Sequence, residues 1–400
     1  MSGADARPLA GLRVLELGQI LAGPFAGVML GYFGADVVKV EAPGSGDPIR
    51  SWRLLDDDGT SLWWRSLGRN KRCVTLDLGH ASGQALARRL AARADVLIEN
   101  FRPGTMEGWG LGPDRLCAEN PGLVFARISG FGQTGPYAAR PGYASVCEAF
   151  GGLRHLTGNP GEVPVRANLS LGDSLAGLHG LVGILLALEA RRRSGRGQVV
   201  DTSIFESVFN VLESVVPEFD RAGAVRGPSG PTVSGIVPSN AYPTAGGERV
   251  VIGANNSANF ERLMTVVGRT DLAQDPDLRE NPGRVRRQME IDAAIACWTS
   301  SRTADAVVEQ LVAAAVPVST IYTVADMFAD PHYQARGLFE SVEAAGRALV
   351  LPAMLPRLAE SPGATDWAGP ELGAHNVEVY CAELGLTADE LGQLRGRGII

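Results

Sequence analysis

Residues 12–41 read LRVLELGQILAGPFAGVMLGYFGADVVKVE. Leu12–Leu17 alternates apolar and polar side chains as a short strand does. A glycine-bearing turn then leads to Pro24, which suits the start of a helix because its missing N–H is not needed in a first turn. Phe25–Phe33 continues as that helix, and Asp36–Glu41 reads as the next strand. Strand, helix and strand at this crossover length make a parallel βαβ unit. The pattern repeats with strand Val74–Leu78, helix Ser82–Ala94 and strand Val96–Glu99. Helix Pro113–Glu119, strand Leu123–Ile128, strand Gln198–Ser203 and helix Ile204–Arg221 follow. Such repetition predicts an α/β fold, a doubly wound parallel sheet with helices on both faces.

Four hundred residues exceed the size at which one core keeps growing, so two domains are expected. The turn-rich Gly227–Pro231 segment marks the boundary. Residues 1–225 are read as the large domain and 226–330 as a smaller α/β domain. The latter carries strands Arg249–Ala254 and Val318–Tyr322 and helices Asn259–Val267, Gln288–Trp298 and Ala304–Ala315. Residues 331–400, with a helix over Asp330–Leu338 and a strand over 347–351, are too few for a third domain. A net charge of −7 without a basic tail argues against a nucleic-acid partner. The five cysteines form no CxxC pair, and Cys73 and Cys147 lie in apolar runs, which reads as buried thiols and not as disulfide partners. Met1–Pro8 lacks an apolar signal region, and the longest apolar run, interrupted by His179 and glycines, reads as short of a membrane span. The expected compartment is the cytoplasm, with no membrane partner.

One carboxylate stands out in residues 168–180 (NLSLGDSLAGLHG): Asp173, between Gly172 and Ser174 at the head of a helix. The run Leu175–Leu188 is apolar nearly all round, which predicts a helix buried against other elements. An aspartate opening such a helix is either an N-cap or a reactive group. Several chemistries are disfavoured. The turn Gly18–Gly23 is not GxGxxG, and Leu21 sits where backbone would have to approach a pyrophosphate, so NAD is not expected although Glu41 ends a strand as a ribose-binding acid would. No Walker loop or GxSxG elbow occurs, and the histidines form no metal motif. Arg65–Arg72 (RSLGRNKR) is either a solvated loop or a phosphate-attracting segment. Glu99–Gly104 (ENFRPG) closes a strand at its carboxyl end, where open α/β sheets bind ligands; the alternative is a turn dictated by Pro103-Gly104.

Taken in order, Leu12–Glu41, Asn70–Arg72, Glu99–Gly104, Ser129–Pro136 (SGFGQTGP) and the Gly172-Asp173 turn resemble the family III CoA-transferases, the group that includes formyl-CoA:oxalate CoA-transferase. The resemblance runs from Pro8 to the last helix. It implies that acyl-CoA and a carboxylic acid are the substrates and that no metal or redox cofactor is needed. Asp173 is then the nucleophile, passing through a mixed anhydride and an aspartyl-CoA thioester, with Gly172 and Gly177 admitting the thioester. Leu21, Ala22, Ala42, Lys71, Arg72, Leu76, Asn100, Phe101 and Arg102 are implied to contact CoA; at Leu21 and Ala42 relatives carry glutamine and a basic residue instead. Tyr143 and Ala144, together with Ser239 and Asn240, are implied to form the acid pocket, with Trp52 and Trp63 as further walls. The polar pair Ser239 and Asn240 suggests a dicarboxylic acid such as succinate, glutarate or a methylated analogue. An interlocked homodimer, with residues 331–400 returning to the large domain, is also implied. Two alternatives stand beside this reading. The α-methylacyl-CoA racemases share the fold and the aspartate but place histidine where this chain has Tyr143. A non-catalytic CoA-binding protein would use Asp173 only as a cap.

Overall fold

Six strands form one parallel sheet: β1 (Arg13–Glu16), β2 (Asp36–Glu41), β3 (Lys71–Thr75), β4 (Val96–Glu99), β5 (Val124–Ser129) and β6 (Val199–Ser203). Their spatial order is β3-β2-β1-β4-β5-β6 in a computed structural model that describes residues 7–400. The first six residues, part of the amino-terminal reading above, lie outside the described residues. Val14 pairs with Val37 on one side and Val96 on the other, so β1 is central. The order reverses between β1 and β4, and the loops leaving these strands diverge into a crevice at their carboxyl ends.

Between the strands run α1 (Ala22–Tyr32), α2 (Ala81–Ala91), α3 (Pro113–Glu119), α4 (Ala144–Phe150) and α5 (Leu171–Ser194), and α6 (Ile204–Asn210) follows β6. Because successive strand residues point to opposite faces, Val14, Val96, Ile98 and Ala126 pack with Ala26, Ala176, Ile184 and Ile204 on one face. Leu15, Val38, Leu97 and Phe125 face the other way, towards Leu86, Leu90 and Leu116. That second face is also covered by Val379, Tyr380, Leu391 and Ile399 near the carboxyl terminus.

Three local expectations change. The third strand begins at Lys71, not Val74, because two charged residues at its start are paired within the fold and so join the ladder. The helix read over Ile204–Arg221 breaks after Asn210, and Glu213 adopts φ +52° before α7 (Val215–Ala222). That break moves the domain boundary from 225–226 to 213–214. The chain divides into one unit comprising residues to Leu153, Ala167–Glu213 and Gln334–Ile400, and a second comprising Arg154–Arg166 and Ser214–Tyr333. Finally, α5 is not buried all round. Gly172, Ala176, Gly177, Gly180, Ile184 and Ala187 form its buried stripe, while Leu178, Val182, Leu185 and Leu186 are exposed. A Cβ at Gly177 would stand 2.8 Å from the Ala22 carbonyl, so this glycine lets α5 approach α1 rather than admitting a substrate. His179 and the glycines do not interrupt the helix, which at 24 residues is long and apolar enough to cross a membrane by length and composition, contrary to expectation.

The second unit holds an antiparallel sheet in the order β7 (Ser239–Pro243), β8 (Arg249–Gly253), β9 (Val318–Thr320). Val250 and Ile252 pack there against Phe260 and Leu263 of α8 (Ser257–Val267), Ile291 and Ile295 of α9 (Gln288–Ser300), and Val307 and Leu311 of α10 (Ala304–Ala313).

Candidate active site

A cleft of about 270 Å³ opens at the carboxyl ends of β1, β4 and β5, within the first unit. Gln19, Ile20, Leu21 and Ala22 line it from the loop after β1, and Asn100, Phe101 and Arg102 from the loop after β4. Gly130, Arg140 and Tyr143 line it beyond β5, and Asp173 from the head of α5.

The first loop is held from several directions. Asn100 accepts a hydrogen bond from the Gln19 N–H and donates one to the Gln19 carbonyl, both at 2.7 Å. A Cβ at Gly18 would lie 2.7 Å from Asn100 Oδ1, so glycine is required for this clasp. Ile20 has φ +65°, an outlier for a β-branched side chain. Its N–H donates to both oxygens of buried Asp47, at 3.1 and 3.0 Å. Strain of about 1–3 kcal/mol persists in such residues only where surrounding contacts over-determine them.

Beneath the loop lies a closed set of buried charges. Lys39 contacts Asp47 at 3.0 Å and Glu16 at 3.2 Å, and donates to the Gly18 carbonyl at 2.5 Å. Lys71 donates to Glu16 Oε1 at 3.0 Å and to the Pro24 carbonyl at 2.8 Å. Its 2.8 Å approach to Glu16 Oε2 is an ion pair without hydrogen-bond alignment. All of these side chains are buried. Burial alone would lower the Lys39 pKa, but Asp47 and Glu16 more than offset it and raise it; Lys71, sharing only Glu16, is lowered by burial.

This corrects the reading of Lys71 as a CoA contact, since its ammonium group is enclosed. Arg72 is likewise committed, pairing with Asp36 at 2.6 Å, Glu378 at 2.9 Å, and Glu383. Both residues begin β3, away from the carboxyl ends where the cleft opens. Leu76 is 1% exposed in the hydrophobic core. Ala42 lies outside the cleft-lining residues, its carbonyl accepting from Gly46 N–H at 2.9 Å. Glu41 is held by Arg50 at 2.6 and 2.7 Å.

Asp173 is the third residue of α5, behind the cap position occupied by Ser170. The Gly172 N–H donates at 3.1 Å to Glu148, a buried carboxylate of α4. Glu148 thus satisfies one N–H of the first turn, and the partly exposed Asp173 side chain lines the cleft. The positive helix end favours its ionised form. Nearby Cys147 is a weak rival nucleophile. Burial, then the negative charges of Asp173 and Glu148, push its thiol up to about 12, so it stays protonated near neutral pH.

Leu21, Ala22, Asn100, Phe101, Arg102, Tyr143 and Asp173 are therefore brought together. Arg102 donates to the Ala139 carbonyl at 2.8 Å, and Phe101 packs edge-on to Trp109 at 5.1 Å. Tyr143 is 67% exposed at the start of α4, whereas Ala144 is buried behind it and does not line the cleft. Ser239 and Asn240 lie on β7 of the second unit. Trp63 lines a separate cleft of the first unit, with the Trp52 ring 6.3 Å away. Gln19 and Ile20 figure in the sequence reading only as members of the Gly18–Gly23 turn and Gly130 only within Ser129–Pro136, and Arg140 is singled out by no motif. The switch point between β1 and β4 is the signal that would have found the first two, once strand order was known.

The chain matches the model of CoA-transferase family III over residues 9–376. It is 46% identical over 395 residues to the succinyl-CoA–D-citramalate CoA-transferase of Chloroflexus aurantiacus (strain ATCC 29366 / DSM 635 / J-10-fl), covering 98% of each chain. Over 403 residues it is 41% identical to the alpha subunit of the succinyl-CoA–L-malate CoA-transferase of Chloroflexus aurantiacus, covering 100% of this chain and 94% of that one. The crystal structure of a CAIB/BAIF family protein from Brucella suis superposes with a TM-score of 0.83 at 33% identity, over 94% of this chain and 99% of that one. Sequence and superposition agree over nearly the whole length, and the chain belongs to CoA-transferase family III.

Proposed function

We propose that this CoA-transferase moves CoA between dicarboxylic acids, with Asp173 as the nucleophile. One observation carries the reading: Asp173 opens onto the switch-point cleft, while the N-cap position belongs to Ser170 and the Gly172 N–H is taken by Glu148. The ionised Asp173 carboxylate attacks the thioester carbonyl of the donor, forming an acyl-aspartyl anhydride and releasing the CoA thiolate. That thiolate attacks the aspartyl carbonyl, which frees the donor acid and leaves an aspartyl-CoA thioester. The acceptor carboxylate attacks this thioester and expels the thiolate, forming an acceptor–aspartyl anhydride; the thiolate then attacks the acceptor's acyl carbonyl, giving the new acyl-CoA and restoring the Asp173 carboxylate. Each step exchanges one acyl bond for another, so no proton acceptor is required of the protein, and Tyr143 serves as a wall with a hydroxyl donor. Leu21, Ala22, Asn100 and Phe101 line the path of the thioester, with Arg102 and Arg140 supplying positive charge for phosphates.

The dicarboxylate assignment is supported by relatives named for succinyl-CoA, citramalate and malate. Quenching turnover with borohydride and reading the protein by mass spectrometry tests the mechanism: reduction is expected at Asp173, and an unlabelled Asp173 in an active enzyme would sink it.

We also propose a homodimer, supported by the exposed Leu178, Val182, Leu185 and Leu186 stripe of α5, an apolar face larger than isolated surface residues present. Light scattering should give twice the chain mass, and Leu186→Glu should reduce that mass; a wild-type monomer would end the idea. The absence of CxxC pairs and the two buried thiols support a reducing, cytoplasmic location.

A further inference from the structure

Five arginines stand between residues 50 and 72, and they differ in how their charge is met. Arg50 holds Glu41, Arg65 pairs with Asp58 and with Glu371 at 3.1 Å, and Arg72 pairs with three carboxylates. Arg69, only 1% exposed, is hydrogen-bonded among the described residues to neutral oxygens: the Ser66 carbonyl and hydroxyl at 2.7 and 2.8 Å, the Pro352 carbonyl at 2.7 Å and the Thr365 hydroxyl at 3.3 Å. Arg53 has no hydrogen-bonded partner among the described residues. Its guanidinium lies over the Trp63 ring, 4.1 Å from the centroid, and its backbone is left-handed at φ +62°. Non-glycine residues held in that region cluster at ligand clamps and active sites.

Arg53 and Arg69 line the same cleft, of about 240 Å³, and no acidic residue lines it with them. The walls are otherwise mainly apolar, as an acyl chain requires. This cleft shares Leu21 with the cleft of Asp173, and Leu171 and Ser174, on either side of the Gly172-Asp173 pair, line it. Two guanidinium groups, neither hydrogen-bonded to a carboxylate among the described residues and with Glu340 acting on Arg69 only from beyond Thr365, set in a mainly apolar cleft beside the candidate nucleophile, are complementary to an anion borne on a short carbon chain. A guanidinium stacked on an indole keeps its N–H edges free for a carboxylate.

We propose that this second cleft binds the free carboxylate of a dicarboxylic substrate through Arg53, in the field of the buried Arg69, while the other carboxyl group meets Asp173. The proposal rests on the assignment of Asp173 as nucleophile. It makes Arg53 a specificity-determining residue, because a site built for a polar group discriminates against analogues lacking it.

Arg53→Asn removes the charge with a side chain that tolerates the left-handed backbone, and Arg53→Lys retains the charge. Initial rates of CoA transfer from succinyl-CoA to succinate (followed by isotope label) and from butyryl-CoA to butyrate give a selectivity ratio. The ratio is expected to fall about tenfold in Arg53→Asn, through the succinate KM, and to recover partly in Arg53→Lys. Calorimetric titration of succinate into the same proteins, independent of turnover, should show correspondingly weaker binding. An unchanged ratio with unchanged succinate affinity would overturn the proposal. A protein that binds succinate in an Arg53-dependent way yet transfers no CoA would instead overturn the CoA-transfer reading and leave the cleft assignment standing.

Discussion

Glu16 and Asp173 are carboxylates on the same face of one sheet, and their surroundings differ in the way that separates structure from chemistry. Glu16 ends β1 beneath α1, enclosed with two lysines and Asp47, every charge of the set buried and answered by another. Asp173 stands at the amino end of α5, partly exposed, stabilised by a helix terminus and opening onto a cleft. A buried ion cluster cannot readily exchange partners, because removing one charge leaves the others desolvated. A partly exposed carboxylate at a helix terminus is favoured in its charged form while it borders a cleft. Burial is therefore the better guide to role than residue type.

The sharpest way to break this comparison is Asp173→Asn. Transfer should fall on the order of ten-thousandfold in kcat, as for other nucleophile replacements, with an unchanged circular dichroism spectrum; activity near wild type would return Asp173 to a capping role. Glu16→Gln acts on the other member of the pair. It leaves Lys39 and Lys71 undercompensated, and urea denaturation should show a loss of about 3–5 kcal/mol. Stability within experimental scatter of wild type would mean the cluster holds nothing together. The smallest effect is expected from Arg72→Gln, which removes a partly exposed partner of Asp36, Glu378 and Glu383. The KM for succinyl-CoA should stay within about twofold, whereas a lost charge-assisted phosphate contact would raise it about tenfold.

The βαβ repetition, the cleft location after Glu99 and the placement of Asp173 at a helix head were legible in the sequence, because period, glycine turns and helix signals are local. Lys71 and Arg72 were misread for the same reason. A basic run looks solvent-directed until strand pairing brings Glu16 and Asp36 beside it. Leu76 looked equally suited to a ligand wall or a core, and only packing decides between them. The run Leu175–Leu188 reads as buried because it is apolar nearly all round, but packing within the described residues covers only one of its faces.

By itself, the amino-acid order determined the element types, the parallel class of the sheet and the chemistry on offer, since these follow from side-chain period and functional groups along the chain. Tertiary structure decided which charges are spent on one another and which face a cleft. Asn100 clasping Gln19, Asp47 holding Ile20, and Arg53 beside Arg69 all depend on distances between loops that strand order alone brings together, and the balance of desolvation and pairing at each charge is set by those distances.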